Sequence, residues 1–174
     1  MTKRSSEEQA GIGLRYQEII LTEAGVSAPR ELILKIMKKT QQLFKGMTFV
    51  LFDDVLATLK TLKEQKFILG LLTNATKDMV SVHRTLGLEP YLDFIVTSEE
   101  VGAGKPRPPM FLAALERAKV SPSEAIYVGD QYKLDVLGAR GVGITPILID
   151  RYDLFAEIND CPRIRTLTEL TEYL

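Results

Sequence analysis

The 174-residue sequence has no tryptophan, one cysteine, one histidine and no apolar run longer than the six residues 67–72. The lone cysteine, Cys161, cannot form an internal disulfide, which favours a reducing compartment. Single cysteine and histidine residues are too few for an ordinary structural zinc site. Six apolar residues are far fewer than the roughly 20 that cross a bilayer, and the N-terminal MTKRSSEEQ lacks the apolar segment of a secretory signal. We therefore expect a cytoplasmic protein.

Neither positive nor negative charge is in excess. Lys and Arg number 22 and Asp and Glu number 23, so the formal net charge is −1. Such a balance provides no whole-molecule field for nucleic acid or for an acidic membrane, and we expect neither as a partner. With 45% hydrophobic and 26% charged residues, the composition excludes a disordered chain, a collagen-like repeat and a coiled coil. The length fits one domain with a small helical appendage.

The first 46 residues have the pattern of two helices. A Ser-Ser-Glu-Glu run at 5–8 suits a helix start, where side-chain oxygens and negative charge satisfy free amides. Gly25 is a candidate C-cap for this first helix. Ser27 can begin a second helix, which Gly46 would end.

From residue 47 onward, short apolar runs alternate with amphipathic stretches. The predicted strands cover 47–52, 67–73, 94–97, 125–129 and 144–149, and the predicted helices cover 54–65, 76–86, 109–119, 133–140 and 167–174. Continuous apolar strands that alternate with helices indicate a parallel sheet covered on both faces. We therefore predict an α/β fold of three layers.

Polar side chains follow several of these strands. Thr73 and Asn74 end one strand, Lys105 lies in the glycine-rich loop after another, and Asp130 follows a third. Ligands of parallel sheets bind at the carboxyl ends of the strands. A hydroxyl, an ammonium and a carboxylate at one edge suit an anion held beside a divalent cation.

Three segments carry a resemblance to a known family. LLTNAT (71–76), VGAGKPRPPMF (101–111) and YVGDQYKLDVLGARGVG (127–143) resemble the second, third and fourth motifs of the haloacid dehalogenase superfamily of hydrolases. They occur in the family's order, and the match covers roughly residues 50 to 174. The resemblance implies a Rossmann-type core at 47–174, with residues 1–46 as the remnant of a reduced helical cap.

The resemblance also implies a role for each motif residue. Thr73 would hydrogen-bond a phosphoryl oxygen, and Lys105 would neutralise charge on the attacking carboxylate and the phosphoryl group. Asp130 would bind Mg²⁺, Asp135 would support Lys105 or the metal, and Asn74 would orient the turn or contact the substrate. The implied reaction is Mg²⁺-dependent hydrolysis of a small phosphorylated metabolite, as in the phosphatase branch, rather than dehalogenation.

The sequence departs from the family at the first motif. That motif is a strand ending in Asp-x-Asp, whose first aspartate is the nucleophile, and no Asp-x-Asp occurs in this chain. The run TFVLFDD at 48–54 offers two interpretations. Asp53 or Asp54 could replace the nucleophile, or these residues could simply begin the following helix.

The family's first strand is central, between the strands that correspond here to 67–73 and 125–129. Without it, buried backbone groups would lack partners at about 1–3 kcal/mol each. Residues 48–52 could fill the gap, the sheet could close, or another chain could supply the strand, and we expect a homodimer or strand exchange. The functional alternatives are a non-catalytic remnant that binds phosphate, metal or a partner, and an N-terminally truncated fragment.

Overall fold

The structure is a computed structural model that describes residues 14–15, 17–18, 21–22, 25–44, 48–74 and 80–174. The chain divides into two compact units, residues 1–48 and residues 49–174.

The first unit is helical where it is described. Residues 14–15, 17–18 and 21–22 are helical, and Gly25 follows with a φ of 73°, a left-handed conformation that favours glycine. Helix α1 spans Arg30–Phe44, and Ile33 is buried on it. The predicted starting run at 5–8 and the predicted end at Gly46 lie outside the described residues.

The second unit alternates helices and strands, as predicted. Its described strands are β1 (Gly70–Thr73), β2 (Phe94–Thr97), β3 (Ile126–Gly129), β4 (Thr145–Ile149) and β5 (Arg163–Ile164). Its helices are α2 (Asp54–Glu64), α3 (Val80–Thr85), α4 (Ser98–Val101), α5 (Pro108–Ala118) and α6 (Leu137–Arg140), with a π-helical turn at Tyr132–Val136 and 3₁₀ segments at Glu89–Tyr91, Pro122–Glu124 and Leu167–Tyr173. All strand pairs are parallel. The α/β prediction is confirmed.

Two apolar clusters cover opposite faces of the strands. Adjacent residues of β3 contact different clusters, because side chains alternate between faces along a strand: Tyr127 packs with the first cluster, and Ile126 and Val128 pack with the second. The first cluster is built on Met110 and Phe111 of α5, both fully buried. The second consists of Leu62, Ile147, Ile164 and Leu170.

The strands form two separate sheets rather than one. β1 pairs with β2, with Gly70 opposite Phe94 and Thr73 opposite Thr97. β3, β4 and β5 form the second sheet. We call these the β1–β2 half-sheet and the β3–β5 half-sheet. Neither β1 nor β3 has a second strand beside it in the described ranges, so two of the three alternatives for the predicted gap, filling by residues 48–52 and closure of the sheet, are wrong for this structure.

The predicted strand at 47–52 is also wrong where it can be checked. Residues 48–52 have no regular secondary structure, and Phe49, Val50 and Phe52 are about half to four-fifths exposed. An apolar run forms a strand only when a neighbouring strand completes its hydrogen bonds. Phe52 instead lies against Arg151, with the guanidinium 4.0 Å from the ring centroid.

Candidate functional site

Lys105 lies in the loop between α4 and α5, and Asn74 holds its backbone. The Lys105 amide donates to Asn74 Oδ1 at 2.7 Å, and Asn74 Nδ2 donates to the Lys105 carbonyl at 3.1 Å. These reciprocal bonds join the end of β1 to the loop that follows α4. Asn74 therefore fixes where the lysine side chain begins.

The Lys105 ammonium reaches the β3–β5 half-sheet. Its Nζ is 2.7 Å from Asp135 Oδ1 and 3.0 Å from the Tyr127 hydroxyl. Asp135 is 1% exposed, and the lysine side chain is 13% exposed. Such a partly desolvated ion pair confines the ammonium to one position.

Asp135 accepts hydrogen bonds at both carboxylate oxygens. Tyr127 donates its hydroxyl to Oδ1 at 3.1 Å, and the Gln131 amide donates to Oδ2 at 2.9 Å. Burial and the neighbouring Asp135 carboxylate raise the pKa of the Tyr127 hydroxyl well above its ordinary value. Tyr127 therefore stays a neutral donor to Asp135.

Gly129 lets Asp135 approach the end of β3. A Cβ atom at residue 129 would lie 2.3 Å from the Cβ and Cγ atoms of Asp135, closer than real carbon atoms come. The close approach places the π-helical turn against the strand. Glycine is therefore needed at this position for lack of space, not for its backbone conformation.

Asp130 differs from Asp135 in exposure and in hydrogen bonding. It follows directly after Gly129, is exposed, and receives no hydrogen bond from the described residues. Because it follows Gly129, against which Asp135 packs, Asp130 lies at the same edge as the Lys105 cluster, which consists of Lys105, Tyr127, Gly129 and Asp135. Asp130 therefore has a carboxylate that is available to a ligand.

The donor set fits Mg²⁺ held largely by water and substrate. Mg²⁺ is usually bound by one or two protein carboxylates together with waters and phosphate oxygens, and exposed Asp130 offers one such carboxylate. Within the described residues, no three His, Cys, Asp or Glu side chains gather as a metal cage. Both oxygens of Asp135 already accept hydrogen bonds, one of them from Lys105, so the observed role of Asp135 is to hold the lysine. Direct metal binding by Asp135 stays a prediction.

The two aspartates after residues 48–52 have different surroundings. Asp54 Oδ2 accepts from Arg151 Nη2 at 3.0 Å and from the Leu167 amide at 2.6 Å. Asp53 is the residue immediately before α2. Its side chain is exposed and makes no capping hydrogen bond to the helix. Asp54 is therefore committed to the fold, while Asp53 is not.

The sequence analysis gave no role to two residues of the Lys105 cluster, although both lie in the motif at 127–143. Tyr127 sits inside an apolar strand, where an aromatic residue is typical of the core. Gly129 carries no functional group, although a glycine at the end of a strand can signal close approach of another group. Thr73 lies at the carboxyl end of β1 as predicted.

No helix within the described ranges is both long enough and apolar enough to cross a membrane.

Comparison with known proteins identifies the family. The profile of the haloacid dehalogenase-like hydrolases matches residues 2–149, so the chain belongs to that family. It is 39% identical to the glyceraldehyde 3-phosphate phosphatase of Methanopyrus kandleri over 102 residues, which cover 58% of this chain and 43% of that protein. It is also 39% identical to the ribulose-1,5-bisphosphate 5-phosphatase of Halopiger xanaduensis over 101 residues, 58% of this chain and 42% of that protein. The chain therefore spans less than half the length of these two relatives.

Solved structures agree on the fold. The HAD (haloacid dehalogenase) phosphatase of Thermococcus onnurineus is similar with a TM-score of 0.67 and 30% identity, covering 90% of this chain and 69% of that one. The 2-haloacid dehalogenase of Pseudomonas syringae is similar with a TM-score of 0.65 and 32% identity, covering 91% and 68%.

Proposed function

We propose that the chain is a phosphatase-type hydrolase that removes phosphate from a small phosphorylated metabolite in a Mg²⁺-dependent reaction. The observation that carries the proposal is the position of the Lys105 ammonium, fixed by Asp135 and Tyr127 at an edge that also bears Asp130. Phosphoryl transfer depends above all on positive charge held in place. Phosphatases among the curated relatives support the same reaction class.

Each residue of the edge would have one task. Lys105 would neutralise a phosphoryl oxygen, Thr73 would hydrogen-bond a second, and Asp130 would hold Mg²⁺. The metal would supply further charge neutralisation on the phosphoryl group. Asn74 and Asp135 would position Lys105, since both already contact it.

Hydrolysis also requires a nucleophile, and Asp53 is our candidate. Its carboxylate is exposed and makes no hydrogen bond or ion pair with the described residues. Its carboxylate would attack phosphorus, and the P–O bond to the substrate alcohol would break, with the leaving oxygen taking a proton from solvent water. A second water would then hydrolyse the aspartyl phosphate to inorganic phosphate and the free Asp53 carboxylate. The alternative is that the edge binds phosphate and Mg²⁺ without turnover, which the lack of an Asp-x-Asp pair favours.

The test is hydrolysis of an aryl phosphate by the purified chain, with and without Mg²⁺. We expect Mg²⁺-dependent turnover, and we expect Asp130→Asn to lower kcat/KM by about 100-fold or more. Asp160→Asn, at an ion pair on the loop before β5, is the matched control and should leave turnover unchanged. Asp53→Asn should abolish turnover.

Calorimetric titration with inorganic phosphate and Mg²⁺ separates hydrolysis from binding. Phosphate binding that Asp130→Asn weakens, together with no turnover by the wild-type chain, would establish the binding alternative. A folded chain that shows neither phosphate binding nor turnover would overturn both the hydrolase and the binding proposals.

The cytoplasmic location stays a prediction that cell fractionation can test.

A further inference from the structure

Gly138 is a buried glycine within α6. The left-handed conformation, which favours glycine, occurs at other described glycines such as Gly143 but not at this one. In a helix, glycine is less favourable than alanine. The reason for a glycine at residue 138 therefore lies in the space around it.

Two neighbours leave no room for a side chain at residue 138. A Cβ atom there would lie 2.6 Å from the Cε2 and Cζ atoms of Phe111 and 3.1 Å from the Cα atom of Pro106. Phe111 is fully buried, so the close-packed core holds its ring. The Pro106 atom belongs to the backbone and can move only with the loop that carries it. Neither neighbour can give way without moving what it touches.

These two neighbours border the two ends of the Lys105 side chain. Pro106 follows Lys105 directly, so it adjoins the backbone that Asn74 holds at 2.7 Å. Phe111 makes an edge-to-face contact with Tyr127 at 5.1 Å between ring centroids, and the Tyr127 hydroxyl lies 3.0 Å from the Lys105 ammonium. The packing of α6 thus supports both the point where the lysine side chain begins and the point where its charge lies.

The helix itself continues from a third support of the ammonium. Asp135 Oδ1 lies 2.7 Å from Lys105 Nζ, and Asp135 stands three residues before Gly138 in the π-helical turn that leads directly into α6. A methyl group at residue 138 would be accommodated by a shift of the Phe111 ring, of Pro106 or of α6. These shifts would displace, respectively, the tyrosine, the lysine backbone and the aspartate.

We propose that Gly138 is a positioning residue for Lys105, because the lack of a side chain lets α6 pack closely enough to hold the ammonium between its supports. Gly138 acts through Phe111 and Pro106 rather than by touching a ligand. The consequence for phosphate binding rests on the proposed function, in which Lys105 neutralises a phosphoryl oxygen. The alternative is that the glycine serves helix packing alone, in which case an alanine would leave Lys105 undisturbed.

The first test measures the accessibility of the Lys105 ammonium and involves neither ligand nor turnover. Lysines are acylated with a succinimidyl ester and their labelling rates are measured by mass spectrometry, with Lys60, whose side chain is 68% exposed, as the internal reference. In the wild-type chain we expect Lys105, which is 13% exposed and paired, to react more slowly than Lys60. Gly138→Ala should raise the Lys105 rate by roughly tenfold, because the ammonium leaves its partners more often.

Two control variants separate positioning from a general loss of packing. Gly141→Ala adds a methyl group just after the same helix, where the nearest atom is the Leu137 carbonyl oxygen at 3.3 Å, and Ile147→Val loosens the other apolar cluster. Both should leave the Lys105 labelling rate at its wild-type value. An unchanged rate in folded Gly138→Ala, or an equal rise in Ile147→Val, would overturn the proposal.

Phe111→Leu tests the same packing without forcing a methyl group into the core, so it decides the question even where Gly138→Ala does not fold. Removal of the ring edge that supports Tyr127 should raise the Lys105 labelling rate by roughly fivefold. Adding Gly138→Ala to Phe111→Leu fills part of the space and should bring the rate back toward that of the wild type. An unchanged rate in Phe111→Leu, or faster labelling in the double variant than in Phe111→Leu, would contradict the proposal.

Calorimetric phosphate titration connects the position of the ammonium to the proposed site. We expect Gly138→Ala to raise the phosphate Kd by roughly tenfold and Gly141→Ala and Ile147→Val to leave it unchanged. Equal phosphate affinity of the wild type and Gly138→Ala would overturn a role of Gly138 at the phosphate site and leave the proposed function intact. A wild-type chain that does not bind phosphate would overturn the proposed function, whereas the labelling rates would still decide whether Gly138 positions Lys105.

Discussion

The two strands at the gap between the half-sheets, β1 and β3, are less buried than their partners, β2 and β4. No residue of β1 or β3 is fully buried, whereas Val96 of β2 and Ile147 and Leu148 of β4 are at most 1% exposed. In a parallel sheet covered by helices, the inner strands are ordinarily the most buried. The reversed order of burial means that each half-sheet is packed by itself and that the packing is incomplete between β1 and β3.

At the carboxyl edge, by contrast, the two half-sheets are joined by polar contacts. The Lys105 backbone is hydrogen-bonded to Asn74 after β1, and the Lys105 ammonium is bonded to Tyr127 of β3 and to Asp135 of the π-helical turn. Phe111 of α5 adds an edge-to-face contact with Tyr127 at 5.1 Å between ring centroids. One side chain therefore serves both the cohesion of the unit and the proposed phosphate site.

Lys105→Met should have the largest effect, because it removes that junction. Asp135 would keep only neutral donors while 1% exposed, and removal of one partner of a buried pair costs roughly 3–5 kcal/mol. We expect a loss near the lower end of that range, since Tyr127 and Gln131 remain. Urea unfolding followed by circular dichroism measures it.

Lys60→Met is the matched control for Lys105→Met. Lys60 pairs with Glu64 at 4.0 Å on the surface of α2, with both side chains about two-thirds exposed. Exposed pairs of this kind contribute about 0–1 kcal/mol. Equal losses for the two variants would show that Lys105 does not join the half-sheets.

Gly129→Ala tests the same junction from its other side. The added methyl group would lie 2.3 Å from Asp135 Cβ, so the π-helical turn must move and carry the carboxylate away from Lys105. Overpacking of this kind costs roughly 1–3 kcal/mol, and phosphate affinity should fall with it. Unfolding and phosphate titration of one preparation measure both effects.

Gly141→Ala provides the comparison for Gly129→Ala. Gly141 has an ordinary helical φ of −61°, and its nearest contact is the Leu137 carbonyl at 3.3 Å. We expect a smaller loss of stability and no change in phosphate affinity. Normal phosphate affinity in Gly129→Ala would mean that the position of Asp135 is unimportant for the site.

The sequence predicted best where structure is local. Residues 94–97 were predicted as a strand and form one with the same bounds, because a short apolar run there is bordered by polar residues on both sides. Lys133–Arg140 was predicted as one helix, but its first part is a π-helical turn that brings Asp135 to Gly129. His83 of α3 is 8% exposed, although the neighbouring Arg84 is exposed. These differences depend on tertiary packing.

The candidate site divides in the same way. Thr73, Lys105 and Asp130 were located because polar residues at strand ends stand out from the apolar runs before them. The contact between Lys105, in a loop, and Tyr127, in β3, joins residues 22 positions apart, and no local pattern marks it. The missing strand between β1 and β3 was predicted from the absent first motif, but the separation of the strands into two sheets was not, because strand pairing is set by neighbours that are distant in sequence.

Asp54→Asn should have the smallest effect on stability. The contacts of Asp54 are with Arg151 and the Leu167 amide, on the same side as the β3–β5 half-sheet, and they do not join the two half-sheets. Burial by itself raises the pKa of Asp54, but hydrogen bonds from the Leu167 amide and Arg151 outweigh burial, so the pKa lies below the ordinary value of 3.8. A carboxyl whose pKa is lowered by folding contributes stability above its unfolded pKa and loses it as the pH falls through the folded pKa. Asp54→Asn should therefore lower the free energy of unfolding by about 1–2 kcal/mol at pH 7, and the difference from wild type should shrink as the pH falls below about 4.

Urea unfolding at a series of pH values measures this difference, with exposed Glu64→Gln as the control. A difference that does not change with pH would assign the effect of Asp54 to packing, whereas normal phosphate affinity in Asp54→Asn would confirm that this contact and the Lys105 junction act separately.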